Sequence, residues 1–402
     1  MDALTTPLNW ERVRLGDICE IVKGQQINKI NLNNTDKYPV INGGIDFLGY
    51  TNKFNVSKNT IAISEGGTCG YVRFMTSNFW SGGHNYSLQK ISNRVNNLCL
   101  YHILKSYEKD IMKLGVGSGL KNIQLKALKD FEILLPPLNE QTAIANILSG
   151  LDSYLYSLDA LILKKESVKK ALSFELLSQR KRLKVFNQAW EKIRLGDIGK
   201  PCMCKRVMKH QTTPYGEIPF YKIGTFGNTA DAFISKKLFL EYKAKYSFPK
   251  KGDILISASG TIGRAVIYDG KPAYFQDSNI VWIDNDETLV KNDFLFYAYS
   301  NIKWNTEHTT ILRLYNDNFR NTLIPLPPLN EQIAIANVLS TLDNEIVSLK
   351  NKKCQFENIK KALNHDLMSA KIRVLKNKTP QKLKANPLIK ETLKLESLRE
   401  RS

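Results

Sequence analysis

Leu135-Pro-Pro-Leu-Asn-Glu-Gln141, followed after one residue by Ala143-Ile-Ala-Asn-Ile-Leu-Ser-Gly-Leu-Asp152, returns as Leu326-Pro-Pro-Leu-Asn-Glu-Gln332 with Ala334-Ile-Ala-Asn-Val-Leu-Ser-Thr-Leu-Asp343. The shift is 326 − 135 = 191, and it holds as far as Lys169-Lys-Ala-Leu172 and Lys360-Lys-Ala-Leu363. A second marker, Trp10-Glu-Arg-Val-Arg-Leu-Gly-Asp-Ile18, returns as Trp190-Glu-Lys-Ile-Arg-Leu-Gly-Asp-Ile198, a shift of 190 − 10 = 180. Self-similarity of this length means one architectural unit used twice. Between the markers, residues 19–131 and 199–322 share only pieces, such as Ser64-Glu-Gly-Gly-Thr-Cys-Gly70 beside Ser257-Ala-Ser-Gly-Thr-Ile-Gly263. Two like frames therefore hold two unlike inserts.

Each Pro-Pro pair links a strand to a helix start, with Asn139 or Asn330 as the cap and Glu and Gln in the first turn. Apolar residues then recur at alternating steps of four and three. They run through Ile144, Leu148, Leu151, Leu155, Leu158 and Ile162 in one copy, and Ile335, Leu339, Leu342, Ile346 and Leu349 in the other. This is the 3.5-residue stripe of a coiled coil, interrupted by Lys165, Lys169, Lys353 and Lys360. Residues 139–183 as one helix would span about 68 Å. A compact insert returns its ends close together. The second helix is therefore expected to start near the end of the first and run back antiparallel to it.

The inserts read as short strands and turns with a little helix near 97–109 and 293–301. The expected fold is α+β: two β-rich mixed α/β domains joined by two long antiparallel helices in a coiled coil, with a pseudo-two-fold internal repeat. The boundaries fall at 1–136, 137–185, 186–327 and 328–375, followed by a basic tail over 376–402.

Of 402 residues, 43% are hydrophobic and 10% aromatic, enough for real cores. The six cysteines are unevenly spaced and fit a reduced cytoplasmic chain rather than a disulfide framework. No leader and no membrane-length apolar run is visible. The formal charge of +20 favours a polyanionic partner. Residues 371–402 carry ten Lys/Arg and three Asp/Glu, so 10 − 3 = +7 belongs to the tail and 20 − 7 = +13 to the rest.

Basic, amide and hydroxyl residues crowd the expected loops, where Arg and Lys suit guanine edges, Asn and Gln suit adenine, and hydroxyls suit phosphate or base edges. In the first insert the DNA-binding candidates are Lys23, Gln25, Asn42, Ser64, Thr68, Arg73, His84, Asn85, Ser118 and Lys121, with Gln26, Lys53 and Asn122 nearby. In the second they are Lys205, Arg206, Lys222, Ser259, Thr261, Arg264, Gln276, Arg313 and Tyr315, with Asp277 and Asn279 nearby. Lys205 and Arg206 are read as phosphate contacts, and Arg264 and Arg313 as base contacts. The two Gly-Thr-x-Gly turns also read as plain hairpin turns.

No phosphate-binding GxxxxGK[ST] pattern occurs, no GxGxxG opens a helix, and no nucleophile–base pattern stands out among the five histidines. Cys202-x-Cys204 with His210 lacks metal-site spacing, so no metal and no cofactor is expected. Doubled markers around variable inserts resemble the specificity subunit of type I restriction-modification enzymes, over nearly the whole chain to about Val374. The resemblance implies two target-recognition domains, each reading one half of an interrupted site in double-stranded DNA, with the helices as spacer. It also implies docking of two methyltransferase subunits, to which restriction subunits add; methyl donor and ATP belong to those partners. A non-enzymatic coiled-coil scaffold and a single-chain enzyme fused to a reader remain as alternatives.

Overall fold

The computed structural model describes residues 9–28, 30, 32–304, 313–369, 371, 372 and 374. The tail expected over 376–402 lies outside the described residues. The chain divides into two compact units, Met1–Ala160 with Asn351–Ser402, and Leu161–Lys350. The division cuts through both long helices, so each unit contains part of each.

In the first unit the strands are β1 (Glu11–Arg14), β2 (Glu20–Lys23), β3 (Tyr38–Ile41), β4 (Gly49–Thr51), β5 (Thr60–Ser64), β6 (Val72–Met75), β7 (Trp80–Ser81), β8 (Asn85–Gln89), β9 (Gly115–Val116), β10 (Asn122–Ile123) and β11 (Glu132–Leu135). The second unit has β12 (Glu191–Arg194), β13 (Gly199–Met203), β14 (Ile218–Tyr221), β15 (Phe233–Ile234), β16 (Ile254–Ser257), β17 (Ala265–Ile267), β18 (Tyr274–Phe275), β19 (Ile280–Asn285) and β20 (Leu323–Leu326). Their sheets match. Four strands run β2-β8-β5-β6 in one unit and β13-β19-β16-β17 in the other, and three run β4-β3-β7 and β15-β14-β18. Inserts with little common sequence thus share one topology. Each presents a buried apolar run at the same place, Ile61-Ala-Ile63 on β5 and Ile254-Leu-Ile256 on β16. A strand buried on both faces needs apolar residues without alternation, and many sequences satisfy that.

The two markers meet in space. β1 pairs antiparallel with β11, Glu11 opposite Leu135, and β12 pairs with β20, Glu191 opposite Leu326. The tryptophan ahead of each first strand then bonds the helix start: Trp10 Nε1 donates to Glu140 at 3.3 Å, and Trp190 Nε1 to Glu331 at 2.9 Å. Gln141 accepts from Asn96 N at 2.7 Å and donates to Arg94 O and Pro136 O; Gln332 does the same with Lys291 N at 2.8 Å, Leu289 O and Pro327 O. All four Glu and Gln side chains are buried. The expected Asn caps shift by two positions, because Pro137 and Pro328 carbonyls accept the first helical hydrogen bonds from Gln141 and Gln332. The Asn-Glu-Gln run is thus a lock between helix and domain rather than a solvated first turn. Buried amide and carboxylate groups are kept there because each finds partners.

The long helices cover Leu138–Leu177 and Leu329–Met368, the first ending short of the expected residue 183. Within the first unit their segments run antiparallel, Asp152 pairing with Lys360 and Asp159 with Lys353 at 2.7 Å. Within the second, Lys165 pairs with Glu345 at 2.6 Å and Lys169 with Asp343 at 2.5 Å. Lys169–Asp343 and Lys360–Asp152 are the same pair under the shift of 191. The lysines that interrupt the stripe are therefore cross-helix partners, their stems covering the seam and their ammonium groups reaching the opposite helix.

One substitution between the copies has a pH consequence. Tyr297 donates to Asp343 at 2.8 Å. His102 occupies the matching place in the first unit, five residues past Asn97 as Tyr297 is past Asn292. Burial pushes its imidazole down to about 4, while Asp152 raises it and Lys360 lowers it further. A depressed folded value means that the unfolded chain binds an extra proton between about pH 6.5 and 4. The stability held by neutral His102 is full above pH 6.5 and is lost as pH falls through that window. Between pH 6.5 and 5 the first unit should lose about 2 kcal/mol on this account. Melting His102→Tyr at both pH values should show a visibly smaller drop; an unchanged drop would mean that the histidine is not held neutral.

Candidate nucleic-acid interface

At one edge of the first unit, five loops converge because the strands they join end together. Gly24 N and Gln25 N, just past β2, donate to Asn85 O and Ser81 O, both at 2.8 Å. Glu65 N, just past β5, donates to His84 O at 3.0 Å, and Thr68 N to Gly43 O at 2.8 Å. Ile123 N on β10 donates to Glu65 O at 2.9 Å, and His84 N to Asn42 Oδ1 at 3.0 Å. The approach requires glycine: a Cβ on Gly66 would lie 2.2 Å from Asn122 Oδ1, and Gly43 sits at φ +81° against Gly66 O.

The structure brings Lys23, Gln25, Asn42, Thr68, His84, Ser118 and Lys121 to this edge, with Lys23, Gln25, His84, Ser118 and Lys121 exposed. Three candidates are elsewhere. Ser64 and Asn85 face each other across β5 and β8 and are buried, the Asn85 amide donating to Ser81 Oγ at 3.0 Å and Tyr86 O at 3.1 Å. Both are interior polar groups, and the Asn85 amide is satisfied by the fold. Arg73 is half-buried on β6, its guanidinium 5.0 Å from the Phe47 ring and 5.4 Å from that of Tyr71.

The second unit builds the same edge. Ala258 N donates to Asn279 O and Leu314 N to Ala258 O, both at 2.8 Å. Lys205, Arg206, Thr261, Arg264 and Tyr315 are exposed there. Ser259 is buried instead, its hydroxyl donating to Asn279 Oδ1 at 2.8 Å. Gln276 accepts from Ile223 N at 2.9 Å, and Lys222 pairs with Asp231 at 2.9 Å. Arg264 donates to Phe226 O at 2.8 Å and Arg313 to Ser278 O at 3.0 Å, so both also brace loop backbone.

Sequence reasoning missed Glu65. Its buried carboxylate accepts from Lys23 Nζ at 2.6 Å and Tyr86 OH at 3.1 Å, with His84 Nδ1 3.9 Å away. Burial raises the Tyr86 phenol above its ordinary value, and Glu65 adds to it. The available signal was the acidic residue in Ser64-Glu-Gly-Gly, where the other copy has Ala258. Among the described residues, no group of three or more His, Cys, Asp or Glu side chains could hold a metal ion.

Residues 7–165 and 187–357 match the model of the type I restriction modification DNA specificity domain, one match on each repeat. The chain belongs to the type I restriction-modification specificity subunits. It is 40% identical to the putative type I restriction enzyme specificity subunit S.HindORF215P of Haemophilus influenzae, over 79% of this subunit and 86% of that protein. It is 26% identical to the type I restriction enzyme MjaVIII specificity subunit of Methanocaldococcus jannaschii, over 93% and 95%. A crystal structure of a type I restriction-modification system S subunit from M. genitalium has the same fold, with a TM-score of 0.65 at 24% identity over 90% of this subunit and 97% of that chain. No helix among the described residues of the subunit is long and apolar enough to cross a membrane.

Proposed function

We propose that the two loop edges are DNA readers, each taking one half of an interrupted duplex site, and that the subunit supplies no catalytic group. The observation that carries the reading is the pairing of identical strand order with non-identical edge residues, which is what two specificities on one scaffold require. The residues bet on are those at the edges: Lys23, Gln25, Asn42, Thr68, His84, Ser118 and Lys121, and Lys205, Arg206, Lys222, Thr261, Arg264, Gln276, Arg313 and Tyr315. In this reading residues 1–136 and 186–327 are the recognition domains. The helical segments 137–185 and 328–375 dock two methyltransferase subunits, to which restriction subunits add in the cytoplasm. A solved structure described as a type I system's assembly and conformational transition has this fold, at 15% identity and a TM-score of 0.53.

The test is an insert exchange. Replacing residues 19–131 by the insert of a relative should change one half of the recognised sequence and leave the other half as it was. The readout is the methylation pattern of cells carrying the complete system. A change in both halves, or in neither, sinks the modular reading.

A further inference from the structure

Two ion pairs stand apart from the others. Lys23 keeps 54% of its side chain exposed while bonded to Glu65, which keeps 11%; Arg206 keeps 66% while bonded through Nε to Asp277, which keeps 17%, at 2.9 Å. Among the described residues, no other lysine or arginine that is more than half exposed pairs with a carboxylate less than one-fifth exposed. Elsewhere both partners are solvated, or the cation is itself mostly covered, as in Arg182–Glu331 and the helix pairs.

The two pairs lie at neighbouring but not equivalent positions of the repeated frame. Lys23 ends β2 and Arg206 follows β13, the matching strand of the second four-stranded sheet. The Lys23–Glu65 device cannot be built in the second unit. Lys23 faces Tyr86 across the ladder where Met203 faces Val281, and Glu65 is replaced by Ala258. The second unit makes its own version from the neighbouring loops instead. Its carboxylate comes from Asp277, on the loop that leads into β19 as His84 leads into β8.

We infer that Lys23 and Arg206 are base-reading side chains, one in each unit, each suited to a guanine O6/N7 edge in the major groove, and that Glu65 and Asp277 are the positioning residues that aim them. The inference rests on the loop edges being the DNA-facing surfaces. A free lysine or arginine loses rotamer freedom when it binds, and a charge-assisted bond to a fixed carboxylate removes that loss in advance. The bonds used leave two N–H groups on Lys23 and the terminal guanidinium fork of Arg206 for the ligand. Paired acceptors on one base edge are what such donors fit, and among the bases that edge belongs to guanine. The sequence alone placed Arg206 on a phosphate; its largely covered partner argues otherwise, because a phosphate contact needs charge but no aim.

The experiment uses the full chain with its methyltransferase subunits, a randomised duplex library sequenced after binding, and affinities across a salt series. Lys23→Met and Glu65→Gln should each lose about tenfold discrimination at the same guanine, in one half-site only. Arg206→Met and Asp277→Asn should do so at one guanine of the other half-site. The double variant Lys23→Met with Glu65→Gln should lose no more than Lys23→Met alone. Glu65→Gln should keep the salt slope and melting temperature of the parent. The inference is overturned if Glu65→Gln and Asp277→Asn keep full discrimination, lose it at positions other than those of their cations, or weaken binding to every sequence alike. Should a positioning variant fail to fold, Lys23→Met and Arg206→Met decide, since each must act at a guanine of a single half-site. If Lys23→Met, Arg206→Met and Lys121→Met all leave DNA affinity and discrimination untouched, it is the DNA-facing assignment of the edges that fails.

Discussion

Glu331→Ala should destabilise the second unit by about 3 kcal/mol, enough to lower its melting temperature by on the order of 6–12 °C. Glu331 is fully buried at the start of the second long helix. Its two oxygens accept from Arg182 Nε at 3.1 Å and Nη2 at 2.5 Å, and one of them also accepts from Trp190 at 2.9 Å. Removing the carboxylate strands a guanidinium that keeps only 25% of its side-chain surface in water, together with an indole N–H. The loss arises from the orphaned partners more than from the pair itself. Replacing both ends, Glu331→Met with Arg182→Met, should therefore recover much of the stability. Thermal melts of the single and double variants check this. A single variant within about 0.5 kcal/mol of the parent would show that the lock carries no stability.

The helix pair gives the second large effect, and the two copies should differ. Leu151 and Leu342 are the same residue under the 191 shift, and the stripe gives them equal weight. In the structure Leu151 is buried in the first unit's core, which Phe356, Leu363 and Leu367 share, whereas Leu342 is only half-buried. Leu151→Ala should cost about 3 kcal/mol, and Leu151→Asp more, because it also buries an unpaired carboxylate. Leu151→Asp is expected to unfold the first unit's helix pair and abolish site-specific binding. Leu342→Asp should be milder, since its carboxylate can reach water. Circular dichroism melts with DNA-binding assays separate the two. Equal damage from both would mean that the stripe, not the packing, sets the cost.

The frame was legible because repetition is a global signal. Trp10, Leu135-Pro-Pro and the apolar stripe each recur, and the strand-to-helix link and antiparallel pairing followed from them. Helix ends were less legible: Asn139 has a capping side chain, but the chain geometry gives the cap to Pro137. The edge was partly legible. Lys23, His84, Lys121, Lys205 and Arg206 were chosen by residue type, and the structure leaves them exposed at the loop edges. Ser64, Asn85 and Ser259 are buried, for a reason that composition cannot show. A polar residue at a strand end serves either the ligand or the fold, and only its partners tell which.

The sequence by itself determined that one frame is used twice and that two helices share a 3.5-residue seam, because period and repetition depend only on the order of residues along the chain. The tertiary structure alone decided which charges are free to act. Lys169 and Lys360 became cross-helix partners, Glu331 a buried anchor, and Lys23 and Arg206 exposed cations held by largely covered carboxylates. Those assignments depend on residues 42 to 208 positions apart meeting at hydrogen-bond distance. The energy of such a meeting is set by burial and geometry at the contact, which no local pattern encodes.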